Sequence, residues 1–212
     1  MGIEERKERE KQARREAIRG SARELFFTKG FSATTMDEIA HKAELSKGAL
    51  YLYFSSKEEL YVSVMSEGLN ILFERTEEAL KLDLPPDQML LKLGEVNYRY
   101  YLDYPEYSRI FFLLEHRNVA KQRPRELIQE SMDKGRRYFQ LLVGVIQKGI
   151  EQGIFAPADP RKAAVAFWGV TSGTLLLFEE EMNREIIGID VEQMIYYTLD
   201  LFIEALKKRP GG

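Results

Sequence analysis

The residues best placed to do chemistry lie between Thr34 and Lys57, and the chemistry they suit is contact with a nucleic acid. Lys47 carries a cation that could meet a base edge or a phosphate. Gly48 lacks the side chain that would hold another backbone at a distance, and Tyr51, one turn above Lys47, offers a phenolic donor. Ser46, immediately before them, is a helix-capping residue type. These groups therefore stand at the start of a short helix of a size that suits the major groove. Leu52 occupies a position where a polar residue could read bases, so its expected contact is a thymine methyl. Tyr53 adds a second phenolic donor, and Lys57 a second cation to hold a phosphate across the groove. Thr34 and Thr35 place hydroxyls and amides at the start of the preceding helix, whose positive dipole end also attracts phosphate. Simple capping is the competing role, and Thr35 can do both. Phe54 reads as core.

Two short helices and a tight turn position these groups. Thr35 and Glu38 form a capping box, after which Met36, Ile39, Ala40 and Ala43 share one apolar face and Asp37, His41 and Lys42 look outward. Ser46 opens the second helix, with Leu50 packing inward, and Ser56 with Glu59 predicts a further capping box at the start of a long helix beginning at Lys57. A helix from about Gln12 to Lys29 precedes them, with residues 1–10 frayed, Ala17, Ile18, Ala22, Leu25 and Phe26 turned inward and Gly30 at its end.

These residues resemble the tetracycline-repressor (TetR) family of bacterial regulators. The resemblance covers residues 12–62 and rests on LFFTKGF (25–31), ATTMDEIA (33–40), SKGALYLYF (46–54) and SKEEL (56–60). Beyond residue 62 it is architectural. It implies an all-α protein of about nine helices: an N-terminal three-helix helix-turn-helix DNA-binding domain (1–56) and a C-terminal helical effector-binding and dimerisation domain (57–212). It also implies a homodimer that binds a palindromic double-stranded operator, and the charged start of the chain, without an apolar h-region, makes a cytoplasmic address the expectation. A small-molecule effector would sit among the fourth to eighth helices, moving the fourth and separating the two DNA-binding heads. Tyr51 and Tyr53 match positions the family uses on phosphates.

Charge is distributed accordingly. The chain has 212 residues and a net charge of −3, yet residues 6–23 carry eight basic and three acidic side chains. DNA would meet this basic end while the mildly acidic body avoids coating nucleic acid. A solvated helix face laced with ion pairs is the other reading of the same run. Cysteine is absent, which excludes disulfides, thiolate zinc sites and cysteine nucleophiles. The two histidines are far apart, so no metal or other cofactor is expected. Nor does the sequence hold a nucleophile elbow or a phosphate-cradling glycine loop, and we expect no enzyme. The longest mostly apolar run, Ala163 to Phe178, is shorter than the roughly 18–20 residues of a membrane span, so we expect a buried helix and no membrane partner.

The last two helices, from Asp159 to about Asn183 and from about Asp190 to Lys207, read as the assembly surface. Gly169 and Gly173, four apart, would admit a close backbone, either from within the chain or from a second copy. The family's four-helix dimer interface favours the copy, with Phe167, Gly169, Gly173, Leu176, Tyr197 and Leu201 as interface residues. Tyr98, Tyr101, Phe111, Phe112 and Trp168 are candidate effector-pocket residues within an aromatic region, although aromatics at helical spacing are more often plain core. Arg99, Arg109, Glu115, His116 and Arg117 could orient a charged ligand or be ordinary surface. The effector is expected to be partly apolar. A DNA-binding scaffold without an effector is the alternative.

Overall fold

The computed structural model of the chain describes residues 2–112 and 125–207. Among the described residues it is all-helical, with ten helices: α1 (Ile3–Ala33), α2 (Met36–Lys42), α3 (Lys47–Tyr51), α4 (Lys57–Leu80), α5 (Pro86–Asp103), α6 (Pro105–Phe112), α7 (Arg125–Glu151), α8 (Pro160–Leu177), α9 (Glu181–Ile187) and α10 (Val191–Leu206). Two compact units divide them, one built on Met1–Glu67 and the other on Gly68–Phe112 and Met132–Gly212, so the division falls inside α4. None of the described helices is long and apolar enough to cross a membrane.

In the first unit, α1 begins at Ile3 rather than near Gln12. Glu5 accepts the Gly2 amide at 2.9 Å, and Arg6–Glu10 and Gln12–Glu8 pair one turn apart, so side-chain pairs carry the helix back towards the terminus. At Gly30 the backbone leaves helical geometry, with φ +80° and ψ 164°, and a kinked last turn follows. Phe31 then packs back on Phe26 and Tyr61, with ring centroids 5.8 and 4.8 Å away. Ile18, Ala22, Ile39, Leu50, Phe54 and Leu60 fill the core, whereas Ala17, expected inward, is exposed, because it lies 100° of helix rotation from Ile18.

In the second unit, α5, α8 and α10 pack around Leu90, Ala164, Phe167 and Leu199. Gly94 permits the α5–α10 approach: a Cβ there would lie 2.4 Å from both Leu199 Cδ atoms. Asp159 and Asp190 cap α8 and α10, each accepting two backbone amides. The expected helix from Asp159 to Asn183 is in fact two. Helix α8 stops at Leu177, Phe178 turns into the core, and the Arg184 side chain from α9 donates to the Phe178 and Glu179 carbonyls at 2.6 and 2.9 Å. Those bonds satisfy acceptors that a helix end leaves without intrahelical partners.

Candidate nucleic-acid interface

Helices α2 and α3 are set by their caps. The Thr35 hydroxyl accepts the Glu38 amide at 3.3 Å while the Glu38 carboxylate accepts the Thr35 amide at 2.9 Å, and the Ser46 hydroxyl accepts the Ala49 amide at 3.2 Å. Glu38 also takes a bond from Lys29. Together with the Thr35 amide, that bond holds its carboxyl down at about 2. Between the helices Glu44 sits in the left-handed region at φ +55°, and the Leu45 amide closes the turn on the Ala40 carbonyl at 2.9 Å. Leu50 and Phe54 anchor α3 and its exit in the core.

One face of α3 stays open. Thr35, Ser46, Lys47 and Gly48 are exposed, Tyr51 is half-exposed, and Leu52 is 83% exposed. A Cβ at Gly48 would meet nothing within 4 Å, so packing among the described residues does not require glycine there. Tyr53 is half-buried. Lys47 is not idle: its Nζ lies 2.7 Å from Asp37 Oδ1, across the turn between the two helices. That contact raises the Lys47 pKa. Nothing in the one-dimensional pattern marks Asp37 as the partner of Lys47, because the pairing exists only once α2 and α3 cross.

Three expected DNA-facing groups are turned inward. Thr34 is 1% exposed, and its hydroxyl donates to the Gly30 carbonyl at 2.8 Å. That leaves the hydroxyl closing the α1 kink instead of facing a phosphate. Lys57 donates from Nζ to the Phe31 and Thr34 carbonyls at 2.8 and 2.7 Å and lies 4.3 Å from the Phe31 ring centroid. Burial lowers its pKa. Arg15, counted in the basic run, donates to the Tyr53 carbonyl at 2.7 Å and stacks over Phe54 at 4.3 Å, tying α1 to the exit of α3. Arg19 and Arg23 both reach Glu67 on α4, at 3.6 and 2.5 Å. Much of the basic run's inner end thus organises the unit. Before α4, Ser56 accepts the Glu59 amide as expected, but Glu59 accepts the Ser55 amide and hydroxyl in return, one residue earlier than a capping box would place it.

In the second unit the aromatic region of α5 and α6 is largely buried. Tyr98, Tyr100 and Tyr107 are buried, and burial raises the Tyr98 and Tyr100 phenols. Tyr101 is half-buried and pushed up to about 12, by burial first and then by Glu179. Tyr100 Oη and Ser108 Oγ are buried with no hydrogen-bond partner among the described residues. Gly68 on α4 lets this group close, since a Cβ there would lie 2.7 Å from the Tyr107 ring and 2.9 Å from Tyr100 Oη. Two open grooves flank α4 in this unit. One, of about 430 Å³, is lined by Arg75, Lys92, Glu95, Arg99 and Asp103 among others, and one of about 540 Å³ by Phe73, Arg136 and Arg137 among others. Arg109 is tied to Glu179. The side chains of Phe111 and Phe112, and residues Glu115, His116 and Arg117, lie outside the described residues.

Trp168, expected in a pocket, is instead 57% exposed on α8. It joins an open apolar face with Val165 and Leu176, and α10, which follows α9 in the chain, exposes Tyr197 and Leu201. Phe167, expected on that face, is buried instead, with its ring 5.6 Å from Phe202. The reason is helical phase: one residue is 100° of rotation, so Phe167 points to the core and Trp168 away from it. A Cβ at Gly169 or Gly173 would meet nothing within 4 Å, so none of the described elements uses either glycine for close approach.

Comparison with known proteins bears on both units. Residues 18–64 match the family model described as bacterial regulatory proteins, tetR family. The chain is similar to the HTH-type transcriptional regulator RutR of Escherichia coli (strain K12), 28% identical over 159 residues, covering 75% of this chain and 72% of RutR. Among solved structures it is similar to a bacterial regulatory protein in the tetR family from Rhodococcus RHA1, with TM-score 0.72, 21% identity, and coverage of 92% of this chain and 98% of that one. It is also similar to AibR solved with isovaleryl coenzyme A and operator DNA, with TM-score 0.67, 22% identity, and coverage of 92% and 98%.

Proposed function

The chain belongs to the TetR family of DNA-binding transcriptional regulators, and from that premise we propose that it is a cytoplasmic repressor. It binds a palindromic operator as a homodimer and leaves it when a partly apolar small molecule enters the second unit. Residues 1–56 are the reader and residues 57–212 carry effector binding and dimerisation.

The observation that carries the reading is the open face of α3. Lys47, Gly48, Tyr51 and Leu52 project together from a helix whose cap and apolar side are satisfied within the chain. Lys47 and Tyr51 supply donors, and Leu52 an apolar contact for a thymine methyl. Thr35, Ser46 and Tyr53 border that face. Two such helices about 34 Å apart read a palindrome, and the exposed face of α8 and α10 is the surface that brings two copies together. Gly169, Gly173, Leu176, Tyr197 and Leu201 belong to it.

For the effector, the supporting observation is the buried aromatic group holding Tyr100 Oη and Ser108 Oγ without described partners. A ligand with an apolar body and one or two acceptors would complete it. Tyr98 and Tyr101 flank it in sequence on α5. AibR, a regulator of similar fold, was solved with an acyl-coenzyme A, which makes thioesters the first compounds to screen. The alternative is a DNA-binding regulator without an effector.

The test is fluorescence anisotropy on duplexes tiling the DNA upstream of the protein's own gene, at fixed salt. Saturable binding at two chains per palindromic site, lost in Lys47→Ala, supports the reading. Binding that is identical on every sequence and erased by modest salt refutes a specific reader. A thermal-shift screen with acyl-coenzyme A thioesters and flat aromatics tests the effector, and no stabilisation by any class would favour the alternative.

A further inference from the structure

At the proposed interface, the Asp37 carboxylate takes no part in the capping bonds of α2. Thr35 and Glu38 complete the cap of α2 between them, and Glu38 is further engaged by Lys29. Asp37, on the first turn of α2 and exposed, faces Lys47 instead, with Oδ1 2.7 Å from its Nζ. The two residues come from different helices and meet on the outward side of the turn. A carboxylate on a surface that must approach phosphates repels them, so its presence weakens every complex with DNA unless it does something useful there.

Lysine is a compact charge on a flexible stem. Left alone at the start of α3, Lys47 would settle on whichever phosphate it first reached, and such contacts add affinity without sequence information. Asp37 removes that freedom. Its carboxylate occupies the ammonium where a phosphate would, and any DNA acceptor must displace it. A backbone phosphate offers a charge of the same sign in a well-hydrated setting, so the exchange gains little. A guanine edge offers N7 and O6 together inside the groove, where Tyr51 and Leu52 flank the same lysine.

We infer that Asp37 is a specificity-determining residue, which holds the Lys47 ammonium against indiscriminate phosphate contact and yields it to a base edge at the operator. The inference rests on the reading of α3 as the helix that enters DNA. Its signature is that removing Asp37 improves binding most where binding should be poor.

The experiment compares wild type, Asp37→Asn, Asp37→Glu, Lys47→Ala and the Asp37→Asn/Lys47→Ala double variant by anisotropy. The probes are a scrambled 30-base-pair duplex and a duplex enriched by wild type from a random library. Asp37→Asn should tighten the scrambled complex about 5- to 10-fold and steepen its log K against log salt slope by about 0.9, the value of one added phosphate contact. The enriched duplex should gain less, so the ratio between the two falls. Asp37→Glu should behave as wild type, and the gain from Asp37→Asn should vanish when Lys47 is alanine.

An equal gain with and without Lys47 would overturn the inference, because Asp37 would then act only as a repelling charge. No change on either duplex would overturn it as well. Weaker binding to both with a lowered melting temperature would make Asp37 a structural residue of α2. If wild type binds neither duplex, it is the DNA-reading proposal that fails.

Discussion

Lys57 separates two physical roles for the same cation. A lysine opening the helix after a recognition helix reads from sequence as a phosphate ligand, yet its Nζ bonds two carbonyls and lies over the Phe31 ring. Lys57→Ala removes all three contacts and leaves the carbonyl of a buried residue, Thr34, without this donor. Each hydrogen bond contributes about 1 kcal/mol net, since the desolvation that lowers the lysine pKa offsets part of the charge-assisted gain. The ring contact adds roughly 0.5 kcal/mol. The first unit should therefore lose about 2–3 kcal/mol, a factor of roughly 30 to 150 in its opening equilibrium. Amide hydrogen exchange across residues 31–43 reads that change without contribution from the second unit. In parallel, the salt dependence of DNA binding should keep its slope, because no phosphate contact is lost. Unchanged protection together with a slope shallower by about one unit would refute this reasoning and make Lys57 a phosphate ligand.

Further expectations follow from the same geometry. The Glu38 carboxyl is lowered from 4.5 to about 2 in the folded chain, so its contribution to stability is complete above 4.5 and is lost as pH falls towards 2. Wild type should lose more melting temperature than Glu38→Gln across that window, and parallel curves would remove Glu38 from the account. Tyr100→Phe removes a buried hydroxyl with no described partner and should stabilise the protein by about 1 kcal/mol in urea unfolding. A loss of similar size would reveal a partner. Leu201→Glu, at an exposed position on α10, should leave the folded monomer intact and abolish dimers in sedimentation. Persistence of the dimer would move the interface elsewhere.

The first unit was legible from its residues because its signals are local. Thr35 with Glu38, and Ser46 with the Ala49 amide, are contacts between residues three apart, and such spacing is visible in one dimension. The break at Gly30 was legible for the same reason, since only glycine takes a φ of +80° without strain. Helix phase was less secure: α8 is apolar nearly all round, and a stripe without a polar side does not say which residues face inward. That is why Phe167 and Trp168 exchanged expected places. The start of α1 was missed because pairs such as Arg6–Glu10 stabilise a helix that has no apolar face to announce it.

By itself the sequence determined the helix-turn-helix, the caps that delimit it, the all-helical class and the open α3 surface that α3's own polarity pattern leaves to solvent. Only the tertiary structure decided what each charge does. Arg15, Lys57 and Asp37 look like any solvated ions in a run of residues, and their partners, Tyr53, Phe31 with Thr34, and Lys47, lie between 10 and 38 positions away. Capping is a short-range interaction encoded by spacing along the chain. An ion's role depends on which acceptor the folded chain brings within about 3 Å, and that distance does not exist until the helices have packed.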